Sequence, residues 1–422
     1  MIHKQNTSDK LVFLSLVLFF VLMGIFYIHY GRVFLDAGFY LNAAWRVMQG
    51  DMPYRDFFYV QGPVYPYVYG LPLRIIGFSV MHARWVSLAF GLAAVILAAW
   101  TARRTGGGIP GAVIALAALT TVPHHAYFFI SVKLYSLTAF FFMSAVAVLA
   151  SSVRARWRYA VGMVLVLIAA ATRLTLLPAV PVIGGLIILD AFRKNGRFPW
   201  TALVAVLGAG AGLSLPFLIA DRQAVIYNLI GIHTSAEAGP YLFSAIKQMK
   251  VIGKLVLFYP ILTLAVGTIG FHLVTGYRRV CDAVTWIDGV MVSSVFVVTA
   301  VHLTANWFSM GYQSILMPVT AAWAGSVCGR LMRRSRFTRF TLVSALLVSI
   351  VAGGLGWRDP VWRTDVSAMR SLAFIGQVIR EAVPENRSVA GCNAVFAFEA
   401  GRLPAGAFGG APFTYTPGWD EA

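Results

Sequence analysis

Residues 11–28 read Leu-Val-Phe-Leu-Ser-Leu-Val-Leu-Phe-Phe-Val-Leu-Met-Gly-Ile-Phe-Tyr-Ile, without a single charge. As a helix rising about 1.5 Å per residue, a stretch of this length nearly crosses the ~30 Å hydrocarbon layer of a bilayer. Similar runs recur down the chain, which is 59% hydrophobic and only 12% charged, with a mean hydropathy of +0.75. Such a composition excludes a soluble globule. The alternation over about ten residues that marks transmembrane barrel strands is absent. What remains is an all-α polytopic membrane protein.

The expected spans are 11–29, 82–102, 109–128, 134–152, 158–173, 175–190, 199–219, 251–273, 288–304, 314–330 and 340–357. Eleven crossings leave the N-terminus in the cytoplasm and the C-terminal tail outside. Arg103/Arg104, Arg154/Arg156/Arg158, Arg193/Lys194/Arg197, Arg278/Arg279 and the run Arg330 to Arg339 then all face the cytoplasm, as the positive-inside rule requires. That placement accounts for the net charge of +18 as topology signal and attraction to membrane lipids, with no nucleic-acid partner. Pro63 to Phe78 is aromatic but short, with Pro66, Pro72 and Arg74. It reads as an interfacial helix, because one more crossing would put every arginine cluster on the wrong face. The segment Lys4 to Ile28 is followed by no small-residue cleavage site and reads as a retained first helix. Gly208-Ala-Gly-Ala-Gly212 lies inside a span and predicts close helix packing. The organisation expected is a transmembrane domain over 1–357, with a first external loop at 30–81, and a small outer segment over 358–422. Cys281, Cys328 and Cys392 have no metal-ligand spacing.

Topology sorts the sixteen acids. Asp9, Asp190, Asp282 and Asp288 fall inside and seven lie in the tail. Asp36, Asp51, Asp56, Asp221 and Glu237 remain beside the outer face. Asp36 and Asp56 are hedged by aromatic residues, Phe34, Phe39 and Tyr40 around the first and Tyr54, Phe57 and Phe58 around the second. Partial desolvation there suits a general base. The competing roles are an N-cap for the helix expected over Asp36 to Met48, and for Asp56 an ion pair with Arg55 or Arg46.

Cations near the outer surface are the complementary signal. Arg173 falls at the turn between two spans, and Lys133 with His124/His125 at a short external turn after Pro123. A charge at that depth is costly unless partnered or functional, and arginine grips a lipid phosphate well. Snorkelling to headgroups, and ordinary interfacial histidines, are the alternatives. Tyr40, Tyr59, Trp307 and Tyr312 are candidates to stack on a sugar or to sit in an interface belt. No motif for nucleotide binding, zinc proteolysis or a serine nucleophile occurs.

In the first loop, Asp36-x-Gly-x-Tyr40, Ala44-Trp-Arg-Val-Met-Gln-Gly50, Pro53-Tyr-Arg-Asp-Phe-Phe58 and Gln61-Gly-Pro63 resemble the first external loop of GT-C glycosyltransferases. The nearest branch holds the aminoarabinose transferase of lipid A and the protein O-mannosyltransferases. Looser matches follow at Ala83-Arg84-Trp85, Thr172-Arg173 and Tyr312-Gln-Ser-Ile-Leu-Met-Pro318. The resemblance implies a GT-C fold and inverting transfer of a sugar from a polyprenyl-phosphate donor to a glycan, lipid or protein acceptor. It implies a bacterial inner-membrane enzyme working on the periplasmic side. Asp36, with Asp56 beside it, would be catalytic; Tyr40, Arg55, His124, His125, Lys133, Arg173 and Tyr312 would bind the donor. Relatives often carry a second acid directly after the aspartate, where this chain has Ala37; a divalent cation is left open. A transporter or flippase for lipid-linked saccharides is the alternative, although polar residues gather in the first loop rather than at mid-membrane.

Overall fold

The computed structural model describes residues 2–34, 36–232, 241–275, 285–304, 310–332, 368–390 and 394–405. Within them the protein is nearly all helical. The helices are α1 (Ile2–Tyr30), α2 (Ala37–Met48), α3 (Val64–Ile76), α4 (Val80–Ala102), α5 (Gly108–Thr120), α6 (Pro123–Ile130), α7 (Tyr135–Ala150), α8 (Ala155–Thr172), α9 (Ala179–Asn195), α10 (Trp200–Ala220) and α11 (Arg222–Ile226). They continue with α12 (Tyr241–Phe258), α13 (Pro260–Thr275), α14 (Trp286–Thr304), α15 (Met310–Ser314), α16 (Met317–Met332), α17 (Ala368–Ala382) and α18 (Ala394–Glu399).

Five described stretches are long and apolar enough to cross a membrane, or seven if two sharply bent helix pairs each count as one. One of them, Val80–Thr120, runs through two of the expected spans, so the described residues do not fix the count of eleven, and 340–357 lies outside them. The span expected over 109–128 is corrected. The chain breaks at Thr121 and Val122, and α6 then meets α7 at a bend of 104°. Proline at the first position of α6 starts a helix well but cannot prolong the preceding one.

A core of small residues lets the helices approach closely. α5 packs along α16 with their backbones almost touching: a Cβ built on Gly325 would fall on the Gly111 carbonyl oxygen. At the same end, Arg330 forms a 2.7 Å ion pair with the fully buried Asp288. Asp190 is likewise buried and paired, with Tyr159 donating at 2.5 Å and Lys194 at 3.0 Å. These two acids thus fasten helix ends. Of the glycines expected to pack, only Gly210 faces a neighbour, a Cβ there lying 3.6 Å from Leu167 of α8, whereas nothing lies within 4 Å of a Cβ at Gly208 or Gly212. They sit on the open face of α10.

A second core gathers at the opposite end of α4, where α2, α3 and α18 cover the bundle. Phe39, Ala43, Ala44 and Val47 of α2 are buried there at helical spacing. Arg84 fixes the entry to this region. Its guanidinium donates to the carbonyls of Tyr27, Ile28, Gly31 and Arg32, in the last turn of α1 and just past it, where backbone acceptors run short of partners. This clamp sets where the chain leaves α1 and so where Asp36 begins.

Candidate active site

Asp36 stands at the N-cap position of α2, yet its side chain makes no capping hydrogen bond. It reaches instead to Lys133, with Nζ 2.8 Å from Oδ2. Lys133 comes from the tight link between α6 and α7, where its backbone N–H bonds the Ser131 carbonyl at 2.8 Å. Its ammonium also lies 4.0 Å from the centroid of the Phe34 ring. The side chains are 13% exposed for Lys133 and 23% for Asp36, so neither cation nor acid snorkels into open water.

Arg173 completes the charge set. It follows the last residue of α8 in extended backbone, and its guanidinium lies 4.3 Å from the Tyr312 ring and 5.4 Å from the Tyr135 ring. Such cation–π contacts contribute about 0.5–2 kcal/mol each. The residue is 7% exposed, its Nε lacks a hydrogen-bond partner, and among the described residues it has no carboxylate partner. Tyr40 lies within electrostatic reach of Asp36, Arg173, Tyr135 and Tyr312. Burial first, then the Asp36 carboxylate, pushes its hydroxyl well above the ordinary tyrosine range. It therefore remains a neutral donor.

Behind Arg173 a polar chain crosses the bundle. Thr299 donates to Gln313 Oε1 at 3.3 Å, Gln313 Nε2 lies 3.3 Å from His302 Nδ1, and His302 Nε2 lies 3.0 Å from Thr175 Oγ1. A neutral imidazole carrying its proton on Nε2 satisfies both ends. The chain ties α14 and α15, which carries Tyr312, to the turn just after Arg173. Gly62 serves the same region from the other side, since a Cβ there would lie 1.9 Å from the Ala171 carbonyl oxygen. Only glycine lets the Gln61-Gly-Pro63 strap touch the end of α8.

Other expected residues lie elsewhere. Asp56 is held in its own turn, accepting from the Met52 N–H at 2.7 Å and from Arg55 at 2.7 and 2.8 Å. Chiefly through the Arg55 hydrogen bond, its carboxyl is held below the ordinary aspartate range. That turn also holds Tyr54 at φ 74°, an uncommon conformation for a bulky side chain, fixed by its hydroxyl donating to the Gln61 carbonyl at 2.7 Å. Asp51 pairs with Arg46, Asp221 caps α11, and Glu237 and Trp307 lie outside the described residues. His124 and His125 occupy buried positions of helix α6, a correction to the external turn expected of them. Pro123 begins that helix, and the turn falls at 131–134 instead. His125 approaches the Tyr259 hydroxyl at 3.4 Å. Tyr59 is fully buried and stacked on Phe39, which removes it from any surface belt.

The sequence alone did not single out Tyr135, His302, Gln313 or Thr175. Tyr135 stands two residues past Lys133 and Gln313 beside Tyr312, so adjacency was an available signal for both. His302 was visible only as a histidine inside a span.

Beside α8 an apolar groove of about 490 Å³ runs between Pro63, Tyr67, Phe141, Ile168, Leu213 and Phe217.

Neither a protein-family model nor a curated protein sequence matches this chain. Solved structures do. ArnT from Cupriavidus metallidurans bound to undecaprenyl phosphate superposes with a TM-score of 0.68 at 13% identity, covering 94% of this chain and 85% of that one. The Archaeoglobus fulgidus oligosaccharyltransferase in complex with Zn and sulfate gives 0.57 at 14% identity, over 93% of this chain and 62% of that longer one. The chain shares the fold of these two proteins.

Proposed function

We propose that this protein transfers a sugar from a polyprenyl-phosphate donor to a hydroxyl acceptor at the outer face of a bacterial cytoplasmic membrane. One observation carries the proposal: a site walled by aromatic rings holds two cations, Lys133 and Arg173, against one carboxylate among the described residues, that of Asp36. A buried guanidinium with no carboxylate partner among the described residues is costly, and an anion arriving from the membrane offsets that cost. A lipid phosphate is such an anion, and the similarity in fold to an enzyme bound to undecaprenyl phosphate supports it.

In the transfer, the acceptor oxygen attacks the anomeric carbon while the bond from that carbon to the phosphate oxygen breaks. The bonding pair leaves with the phosphate, and the acceptor proton passes to the Asp36 carboxylate. Arg173 and Lys133 stabilise the charge that develops on the leaving oxygen. Tyr40 and Tyr312 flank the space in which the sugar would lie. We place the prenyl chain in the apolar groove along α8, whose Pro63 edge adjoins the strap that touches Ala171, two residues from Arg173. Asp56 we assign to holding the loop rather than to the chemistry.

A structurally similar enzyme is in complex with Zn, so the fit of a divalent ion was tested on this chain's own ligands. One oxygen of Asp36 is already engaged by Lys133. Among the described residues, no three His, Cys, Asp or Glu side chains converge. The donor set does not suit such an ion, and no step here passes through one.

The deciding experiment is transfer by the purified protein in liposomes supplied with polyprenyl-phosphate sugars. Asp36-dependent release of polyprenyl phosphate, with glycosylated acceptor, is expected. Movement of intact lipid-linked sugar between leaflets without its consumption would establish the flippase instead.

A further inference from the structure

The failure of a divalent ion to fit at Asp36 has a positive counterpart, which rests on the transferase proposal above. We infer that Lys133 is the site's resident cation: it fills the position beside Asp36 that a metal would take, and offers its remaining protons to the departing phosphate.

Three features separate this lysine from an ordinary ion-pair partner. It is anchored at both ends. The link 131–134 between α6 and α7 is too short to swing, and Val132 and Leu134 on either side of Lys133 are buried. At the other end the ammonium touches Asp36 Oδ2 and sits over Phe34, two residues away on the same segment. Its surroundings also refuse a second positive ion. Arg173 shares the tyrosine Tyr135 with it, at 5.4 Å and 5.8 Å from the ring centre. Finally, the neighbouring oxygens are wrong for a metal. Tyr40 keeps its proton, so the described residues of the site supply one formal negative charge, whereas hard divalent cations are bound by several oxygens and commonly by more than one carboxylate. An ammonium has three donors and a single charge. One donor is spent on Asp36, and among the described residues no other hydrogen-bond acceptor takes the rest, which can meet an oxygen of an incoming phosphate.

The exchange Lys133→Asp turns the proposed cation position into a ligand. The full-length protein in detergent is titrated with Mn²⁺ and bound ion is read by electron paramagnetic resonance. Three chains are compared: the natural sequence, Lys133→Asp, and Lys133→Asp combined with Asp36→Asn. The natural chain should show no Asp36-dependent binding. Lys133→Asp should bind one Mn²⁺ at least roughly tenfold more tightly, because a second carboxylate faces Asp36, and Asp36→Asn should abolish the gain. Asp36-dependent Mn²⁺ binding by the natural chain would overturn the inference. So would silence of a Lys133→Asp protein that melts cooperatively, since position 133 would then not be a cation position. Transfer assayed with and without a chelator gives the second arm. Full activity in chelator is expected, and loss restored by added divalent ion would refute the inference while leaving the transferase intact. Absence of transfer from every donor would instead remove the transferase proposal, with the Mn²⁺ comparison still readable.

Discussion

Replacing Asp36 by asparagine keeps size and shape but removes the charge, and the structure lets the two consequences be separated. At the 2.8 Å separation of Lys133 and Asp36, Coulomb's law with an effective dielectric constant of about 20 gives a gross attraction of about 6 kcal/mol. Both groups keep partial contact with solvent, which screens much of this, so a net stability loss of about 1–2 kcal/mol is expected. A general base contributes roughly 10²–10⁴ in rate. Asp36→Asn should therefore lower turnover by that factor while shifting thermal unfolding by only a few degrees. The assay is single-turnover transfer in liposomes beside melting of the same preparations. The double variant Asp36→Asn/Lys133→Met makes the comparison decisive. Removing both charges should recover most of the lost stability, because no unpaired ammonium remains, yet should recover none of the rate. Double-variant turnover within threefold of the natural protein would show Asp36 to be a structural partner of Lys133, and the base assignment would be falsified.

Arg173→Ala removes a cation that meets the phosphate both in the bound donor and as charge develops on the leaving oxygen, so losing a charge-assisted contact of about 1.5–3 kcal/mol should raise the donor KM about tenfold to a hundredfold and lower turnover as well. An unchanged donor KM would count against a donor-binding role. Gly62→Ala places a methyl carbon 1.9 Å from a backbone oxygen, and relief requires the strap to leave α8; activity should fall at least tenfold with the protein still inserted, measured by transfer and by protease accessibility of residues 53–63. Asp56→Asn should leave transfer near normal. The Asp56 carboxyl is lowered by Arg55, so its stabilisation is complete above the ordinary aspartate range and fades as pH falls through the still lower folded value. The melting difference between the natural chain and the Asp56→Asn variant, under about 1 kcal/mol for so exposed a pair, should accordingly vanish in acid.

Much of this arrangement was legible in the residues before any coordinates. Hydropathy sufficed for the helical bundle. Asp36 stood out because most other acids had a topological explanation, and its actual partner, Lys133, was on the same short set of candidates. What sequence could not supply was which candidates meet. Asp56 and His124 looked as suitable as Lys133. Whether a side chain spends its hydrogen bonds locally, as Asp56 does with Met52 and Arg55, depends on turn geometry that no spacing rule encodes. The break at Thr121 was missed for a related reason. Its flanks are uniformly apolar, so periodicity carried no boundary, and Pro123 was the one mark. The Thr175–His302–Gln313 chain is a tertiary meeting of residues scattered across the bundle, invisible to any local pattern.

The contact between Glu399 and the start of α4 bears on the order in which this end of the molecule is completed. Glu399 accepts from the backbone N–H of Val80 at 2.7 Å, and its helix lays Val395 and Phe398 into the same apolar cluster as Phe39 and Tyr40 of α2. Translation delivers this seal some three hundred residues after the loop it covers. Until then, the helix that begins at Asp36 has an unfinished back wall, so the first-loop helices can be in place while that wall is still open. Insertion of the first helices would then not by itself complete the wall behind Asp36.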